Sequence, residues 1–221
     1  MKYLKKFNTK ADIIMYDTPN VVLVGDTCEV LYNVEPMSGV RIQHIDGSFY
    51  TTDEWTAGGF TNDVANGVAV FGNNAKFVIA KDYVNTSMPW SSNISTLVDG
   101  IFTSTDSTVA KTDFAGQANT ELMLATDKSG AGYSCANFTF PNGEKGYLPS
   151  LGEWSVAFAN KTAIDEAMTL IGGTALSHHD CWSSSQSSAT TAWHLSWLKG
   201  YASTGNKSFT FYVRAFSALN L

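Results

Sequence analysis

Residues 146–154 read GYLPSLGEW, and they carry the clearest local structural instruction in the chain. Ser150 and Glu153 form a capping box: the serine hydroxyl accepts from the backbone N–H of Glu153, and the carboxylate reaches back to the serine N–H. Trp154, Ala157 and Phe158 then follow at helical spacing. Thr162 and Asp165 repeat the start signal. Ile164, Ala167, Met168 and Ile171 fall at i, i+3, i+4 and i+7, and Gly172-Gly173 stops the second helix. Glu153 and Asp165 are thereby read as capping groups rather than catalytic carboxylates.

Outward from this helical centre the pattern turns to strands. Toward the C-terminus, AWHLSWL (192–198) is followed by a turn at Lys199-Gly200. YAST (201–204), a turn at Gly205-Asn206 and one strand over SFTFYVRAF (208–216) complete the tail. Toward the N-terminus, GVRIQHI (39–45) and SFYTT (48–52) flank Asp46-Gly47, a type I′ hairpin signal. GVAVF (67–71) and KFVIA (76–80) flank GNNA as a second hairpin. Residues 85–112 read mostly as loop and 113–127 as a helix. Strands at both ends with helices between them give an α+β domain. Residues 1–35 stand apart: β-prone runs at 21–24 and 29–32 are split by a GDT turn, and the segment closes at Pro36. Such a piece is too small for its own core. The expected division is 1–35, a β-rich attachment or oligomerisation segment, and 36–221, the main domain.

The chain has 221 residues, enough for one medium domain with a core that needs no staples. Apolar residues make up 44% and charged residues 15%, a balance more typical of secreted, envelope or virion proteins than of cytosolic enzymes. The net charge of −6 and the lack of clustered Lys and Arg exclude a nucleic-acid partner, since backbone binding needs such clusters. The three cysteines, Cys28, Cys135 and Cys181, form no CxxC and read as free thiols acting as small apolar residues. The start, MKYLKKFNTK, has no apolar core behind its basic residues, so neither a signal peptide nor a membrane span is expected.

One stretch asks for chemistry: SHHDCWSSSQ (177–186) sets His178, His179, Asp180 and Cys181 side by side. In an extended segment His178 and Asp180 face one way, His179 and Cys181 the other. Each pair supplies at most two metal ligands, to which His194 could add one, whereas zinc prefers three or four. A Cys181 nucleophile would need a nearby His and an orienting third group. His44, on a predicted strand, reads as structural or surface.

GYLPSLGEW, CWSSSQ (181–186) and YVRAF (212–216), with GVRIQHIDGSFYTTDEW (39–55) and FPNGEKGYLPSLGEW (140–154), resemble the C-type-lectin-like fold. More specifically, they are similar to variable proteins diversified by diversity-generating retroelements in gut Bacteroidales and their phages; the resemblance covers residues 39–221. In that family, adenines in template codons, mainly the asparagine codons AAY, are mutated as the 3′ end of the gene is copied. Such codons never yield Lys, Glu, Gln, Met or Trp. Trp182, Gln186, Trp193, Trp197, Lys199 and Lys207 would therefore be scaffold, with Trp154, Trp182, Trp193 and Trp197 as anchors, Trp193 and Trp197 on one face of one strand.

The resemblance implies a ligand-binding variable surface within about residues 177–212. The compatible positions are His178, His179, Asp180, Cys181, Ser188, Thr190, Thr191, His194, Ser196, Leu198, Tyr201, Ser203, Thr204, Gly205, Asn206, Ser208, Phe209, Thr210 and Phe211. Large aromatic anchors and adaptable small polar groups suit such a surface, as in antibody paratopes. Strand alternation adds a constraint: Phe209 and Phe211 share one face, so Ser208 and Thr210 take the other.

The implied activity is non-enzymatic binding, with no cofactor, to a bacterial cell-surface receptor that is protein or glycan. The lack of a leader favours a phage tail over a cell-surface or exported protein, with residues 1–35 as the tail attachment or homotrimer element. The enzyme branch of this fold, similar to formylglycine-generating enzymes, relies on paired cysteines in the C-terminal part, and Cys181 there is single. The calcium-binding lectins carry EPN-like or QPD-like loops and a WND element, where this chain has VEPM and WHLS.

Overall fold

The computed structural model describes residues 4–6, 16–24, 29–176 and 179–219. Cys28, the turn at 25–27 and His178 lie outside them. The chain divides into two compact units, residues 1–39 with 220–221, and residues 40–219. The first unit is three strands in the order β1-β3-β2: β1 (Leu4–Lys6), β2 (Tyr16–Val24) and β3 (Glu29–Pro36), all antiparallel. The β2–β3 register slips between Asp17 and Asn20, around Pro19, which has no N–H to give the ladder.

The second unit holds two five-stranded sheets with the orders β13-β7-β6-β4-β5 and β11-β10-β9-β12-β8. The first sheet contains β4 (Gly39–His44), β5 (Phe49–Tyr50), β6 (Ala65–Phe71), β7 (Lys76–Ile79) and β13 (Phe216–Ala218). The second contains β8 (Asn85–Pro89), β9 (Asp180–Gln186), β10 (Thr191–Ser196), β11 (Ala202–Asn206) and β12 (Thr210–Val213). β12 runs parallel to β9 and antiparallel to β8. Six helices accompany them: α1 (Thr52–Ala57), α2 (Ser107–Ala110), α3 (Gly116–Thr126), α4 (Ala131–Asn137), α5 (Leu151–Ala159) and α6 (Lys161–Leu170). The domain is therefore α+β.

Both hairpins form at the expected turns, the first with Gly47 at φ 90°, where a side chain would be strained. SFYTT is a strand only at Phe49–Tyr50. Thr51 leaves it to cap α1, accepting from Glu54 N at 3.1 Å while Glu54 accepts from Thr51 N at 2.8 Å. The capping box that starts α5 is present: Ser150 Oγ accepts from Glu153 N, and Glu153 Oε2 accepts from Ser150 N at 2.7 Å.

The reading of Thr162 and Asp165 as a second box is corrected. α6 begins at Lys161 with no side-chain cap, and Asp165 instead accepts from Lys161 Nζ at 2.8 Å and from Leu176 N at 3.0 Å. Gly172 does end α6, at φ 67°. Gly173 N donates to Met168 O and Gly172 N to Thr169 O, the paired bonds of a Schellman closure.

The segment 85–112 is mostly loop, as expected, and also holds β8, the edge partner of β12, and α2, capped by the Asp106 side chain. Two further expectations change. Gly205 and Asn206 are strand residues, and the turn comes one step later, where Phe209 N donates to Asn206 O at 2.8 Å. SFTFYVRAF divides into β12 and β13, which belong to different sheets. The switch is held by the buried Arg214, whose guanidinium donates to the carbonyls of Ala80, Lys81 and Thr174 at 2.6–2.8 Å.

One core joins the layers: Ile42, Val68, Val70, Phe77 and Ile79 from the first sheet, Trp154, Ile164 and Met168 from the helices, and Cys181 and Leu195 from the second sheet. Trp154 brings the three motif segments together. Its indole N–H donates to Trp182 O at 3.0 Å, and its ring meets Phe216 at 4.8 Å and Trp197 at 5.7 Å. Tyr147 and Phe216 exchange backbone hydrogen bonds, and Ser184 N donates to Pro149 O.

Candidate functional site

The serines after Trp182 are structural. Ser183 Oγ donates to Trp193 O, and Ser184 Oγ accepts from the Asn119 amide. Ser185 Oγ donates to Asp113 at 2.6 Å and accepts from Leu151 N. Gln186 clasps both backbone groups of Val98 and accepts from Lys207 Nζ at 3.0 Å. Lys207 also donates to Thr96 O, and its burial brings the ammonium down to a pKa of about 8. Trp182, Trp193 and Trp197 are buried as well. Trp193 packs with Ala110 and Leu151, while Trp197 joins the main core against Trp154 and Phe158. Lys199, also assigned to the scaffold, is exposed in the turn before β11.

Strand pairing sorts the expected variable positions, since directly opposed residues share a face. Cys181 opposes Leu195 and Tyr212, all on the core side. Asp180 opposes Ser196, and Trp182 opposes His194, on the other side. Phe211 joins this second face, its ring 4.5 Å from Trp182 and 4.4 Å from His194.

Several expected surface positions are therefore corrected. Cys181 is 0% exposed and cannot touch a ligand. Burial pushes its thiol up to about 12, which disfavours the thiolate that a nucleophile needs. Gly205 is buried because a Cβ there would meet Phe211 at 2.8 Å and Trp182 at 3.0 Å. His194 is only 6% exposed, and burial lowers its pKa against the opposing pull of Asp180. Ser196 is also largely covered. His179 is half-buried, stacked on Tyr212 at 3.8 Å and edge-on to Tyr83.

The expected positions that border open surface, His179 and Ser196 included despite their partial cover, form two groups. His179, Asp180, Ser196, Leu198, Tyr201, Thr210 and Phe211 line one cleft of about 330 Å³, joined by Lys199 and Tyr212. Leu198 is 57% and Tyr201 49% exposed at its mouth. Ser188, Thr190, Thr191 and Asn206 lie at the other end of the strands, where Thr191 opposes Asn206. At ~3.3 Å per residue that is roughly 20 Å away, too far for one small ligand but within one protein interface. Ser208, bonded to Asn206 Oδ1, and Phe209, 56% exposed, follow Asn206 in the turn before β12. Ser203 is half-buried and Thr204 exposed on β11.

Sequence reasoning missed Lys199 and Tyr212 as cleft residues. Lys199 was assigned to the scaffold by codon chemistry. For Tyr212, beside Phe211 in YVRAF, the parallel β9–β12 pairing that places it is a tertiary feature. The first-sheet residue His44 packs edge-on against Tyr50 and tilted against Trp55 and Phe60, and lies 2.9 Å from Asp46, in a structural role. Among the described residues no three His, Cys, Asp or Glu side chains are placed to hold a metal ion, and no helix is long and apolar enough to cross a membrane.

No protein-family model and no curated protein matches the chain. Among solved structures, a fimbrial protein from Bacteroides ovatus ATCC 8483 is similar in fold, with a TM-score of 0.58 and 13% identity over 83% of this chain and 49% of that one. The chain thus spans about half the length of that protein.

Proposed function

We propose that this is a non-enzymatic ligand-binding protein of C-type-lectin-like fold, whose C-terminal sheet is a receptor-binding surface diversified by a retroelement. One observation carries the reading. Seven positions that the codon argument leaves free line one cleft, while five of the six it excludes, Trp182, Gln186, Trp193, Trp197 and Lys207, are buried and the sixth, Lys199, joins the cleft. A phage tail host-attachment protein is the setting that this reading favours, with the N-terminal strands as its attachment or trimerisation element. A buried, protonated Cys181 thiol supports binding over catalysis.

The test is to sequence the locus and its neighbourhood across reads from the source population. Substitutions should concentrate at Leu198, Tyr201, Thr204, Ser208, Phe209 and Thr210, and should spare Cys181, Gly205, Gln186 and Lys207. A uniform spread of substitutions, or invariance at the exposed positions, overturns the diversification reading. A second reading, a cell-surface protein of the same fold, draws on the likeness to a protein described as fimbrial. Tail genes beside the locus favour the first reading and surface-assembly genes the second.

A further inference from the structure

Resting on the reading of this domain as a ligand-binding protein, we propose that the cleft between β9, the β10–β11 turn and β12 takes a neutral saccharide unit, without a metal ion. Its volume, about 330 Å³, lies at the small end of sites for compact ligands. Tyr201 and Phe211 offer ring faces to the apolar side of a sugar ring.

Three polar groups of the cleft are unengaged, which sets them apart from their neighbours, while Lys199 Nζ lies 5.8 Å from the centroid of the Tyr201 ring. Among the described residues, the Ser196 and Thr210 hydroxyls have no hydrogen-bond partner and the Asp180 carboxylate has no donor within bonding distance. Ser183, Ser184 and Ser185 on the same sheet are all bonded within the protein.

A buried group points to the same place. His194 Nδ1 is inaccessible, has no hydrogen-bond partner, and lies 3.9 Å from Asp180 Oδ2. That is too long for a hydrogen bond. The imidazole nitrogen is thus an unpartnered buried polar atom beside the cleft, with the Asp180 carboxylate next to it.

Charge decides the ligand class. Asp180 and Lys199 both line the cleft, so an anion meets the carboxylate and a cation meets the ammonium. A neutral polyol donates to the first and accepts from the second.

The test is a titration of the full ¹⁵N-labelled chain with neutral methyl hexosides and methyl N-acetylhexosaminides, with methyl glucuronide and methyl glucosaminide as charged controls. Neutral glycosides should shift amide signals of residues 179–181, 196–201 and 210–212, equally with and without EDTA. Tyr201→Ala and Asp180→Asn should each weaken binding about tenfold, and Tyr133→Ala, at an exposed tyrosine on α4 outside the cleft, should leave it unchanged. No shift with any neutral glycoside, shifts with charged glycosides or a protein receptor alone, loss in EDTA, or shifts elsewhere would each overturn the assignment. Locus sequencing separates the two failures. Variable cleft positions without glycoside binding sink the saccharide assignment alone, and glycoside binding with an invariant locus sinks diversification alone.

Discussion

The ammonium of Lys207 sits 4.6 Å from the centroid of the Trp90 ring, and both side chains are fully buried. This contact, with the bonds to Gln186 and Thr96, ties the segment after β8 to the turn before β12. The exposed residues beside that turn, Ser208 and Phe209, are thus presented from a fixed frame.

Lys207→Met should destabilise the protein by about 1.5–3 kcal/mol at pH 7, the range for hydrogen bonds to a charged group. The buried ammonium titrates near 8, below the usual lysine range, because burial disfavours its charge. Between pH 8 and about 10.5 the unfolded chain holds the proton that the folded chain has released, so this group adds stability as pH rises. Urea unfolding across that window should show a shallower rise for the variant than for the parent.

Glu153 behaves in the opposite sense. Burial raises its carboxyl to about 7, against the bonds from Ser150 and Tyr147. Its contribution is complete below the ordinary carboxylate range and is lost as pH rises toward 7. Glu153→Gln should flatten the dependence of the urea midpoint on pH between about 4.5 and 7.

Exposed and buried positions of the C-terminal sheet should separate in stability. Leu198→Ala and Tyr201→Ala, at side chains largely in solvent, should change unfolding free energy by less than about 0.5 kcal/mol. Trp182→Ala should cost about 3–5 kcal/mol. Equal losses would contradict the division into display and frame.

Thiol labelling checks the burial of Cys181 and Cys135, both raised above the ordinary thiol range by desolvation. Iodoacetamide at pH 8 should leave both unmodified in the native protein and modify both in denaturant, as read by peptide mapping. Native labelling at Cys181 would reopen a role for that thiol.

Gly200 takes φ 71° and faces the Phe158 ring, 2.4 Å from where a Cβ would stand. Gly200→Ala should lower the melting temperature, since it adds backbone strain and a clash. The change should also disturb Leu198 and Tyr201 at the cleft mouth.

Local chemistry was legible wherever it closed within a few residues. The Ser150–Glu153 box, the Asp46-Gly47 hairpin and the Gly172-Gly173 stop depend on partners no more than eight residues apart. Thr162 and Asp165 had the same look but a different outcome, because Lys161 and the distant Leu176 N compete for the Asp165 carboxylate. β8 was missed because NTSMP has little strand propensity and is held by pairing with a strand 120 residues later.

By itself the sequence determined the α+β class, the capped start of α5, the glycine stop of α6 and the tryptophan anchors, since hydrophobic period and capping are short-range properties. Which of His179, Asp180, Cys181, His194 and Gly205 faces solvent was decided by the tertiary structure alone. That choice follows from the parallel pairing of β12 with β9 and the switch of the chain between sheets at Arg214. Both are contacts between residues far apart in the chain, and no local pattern encodes them.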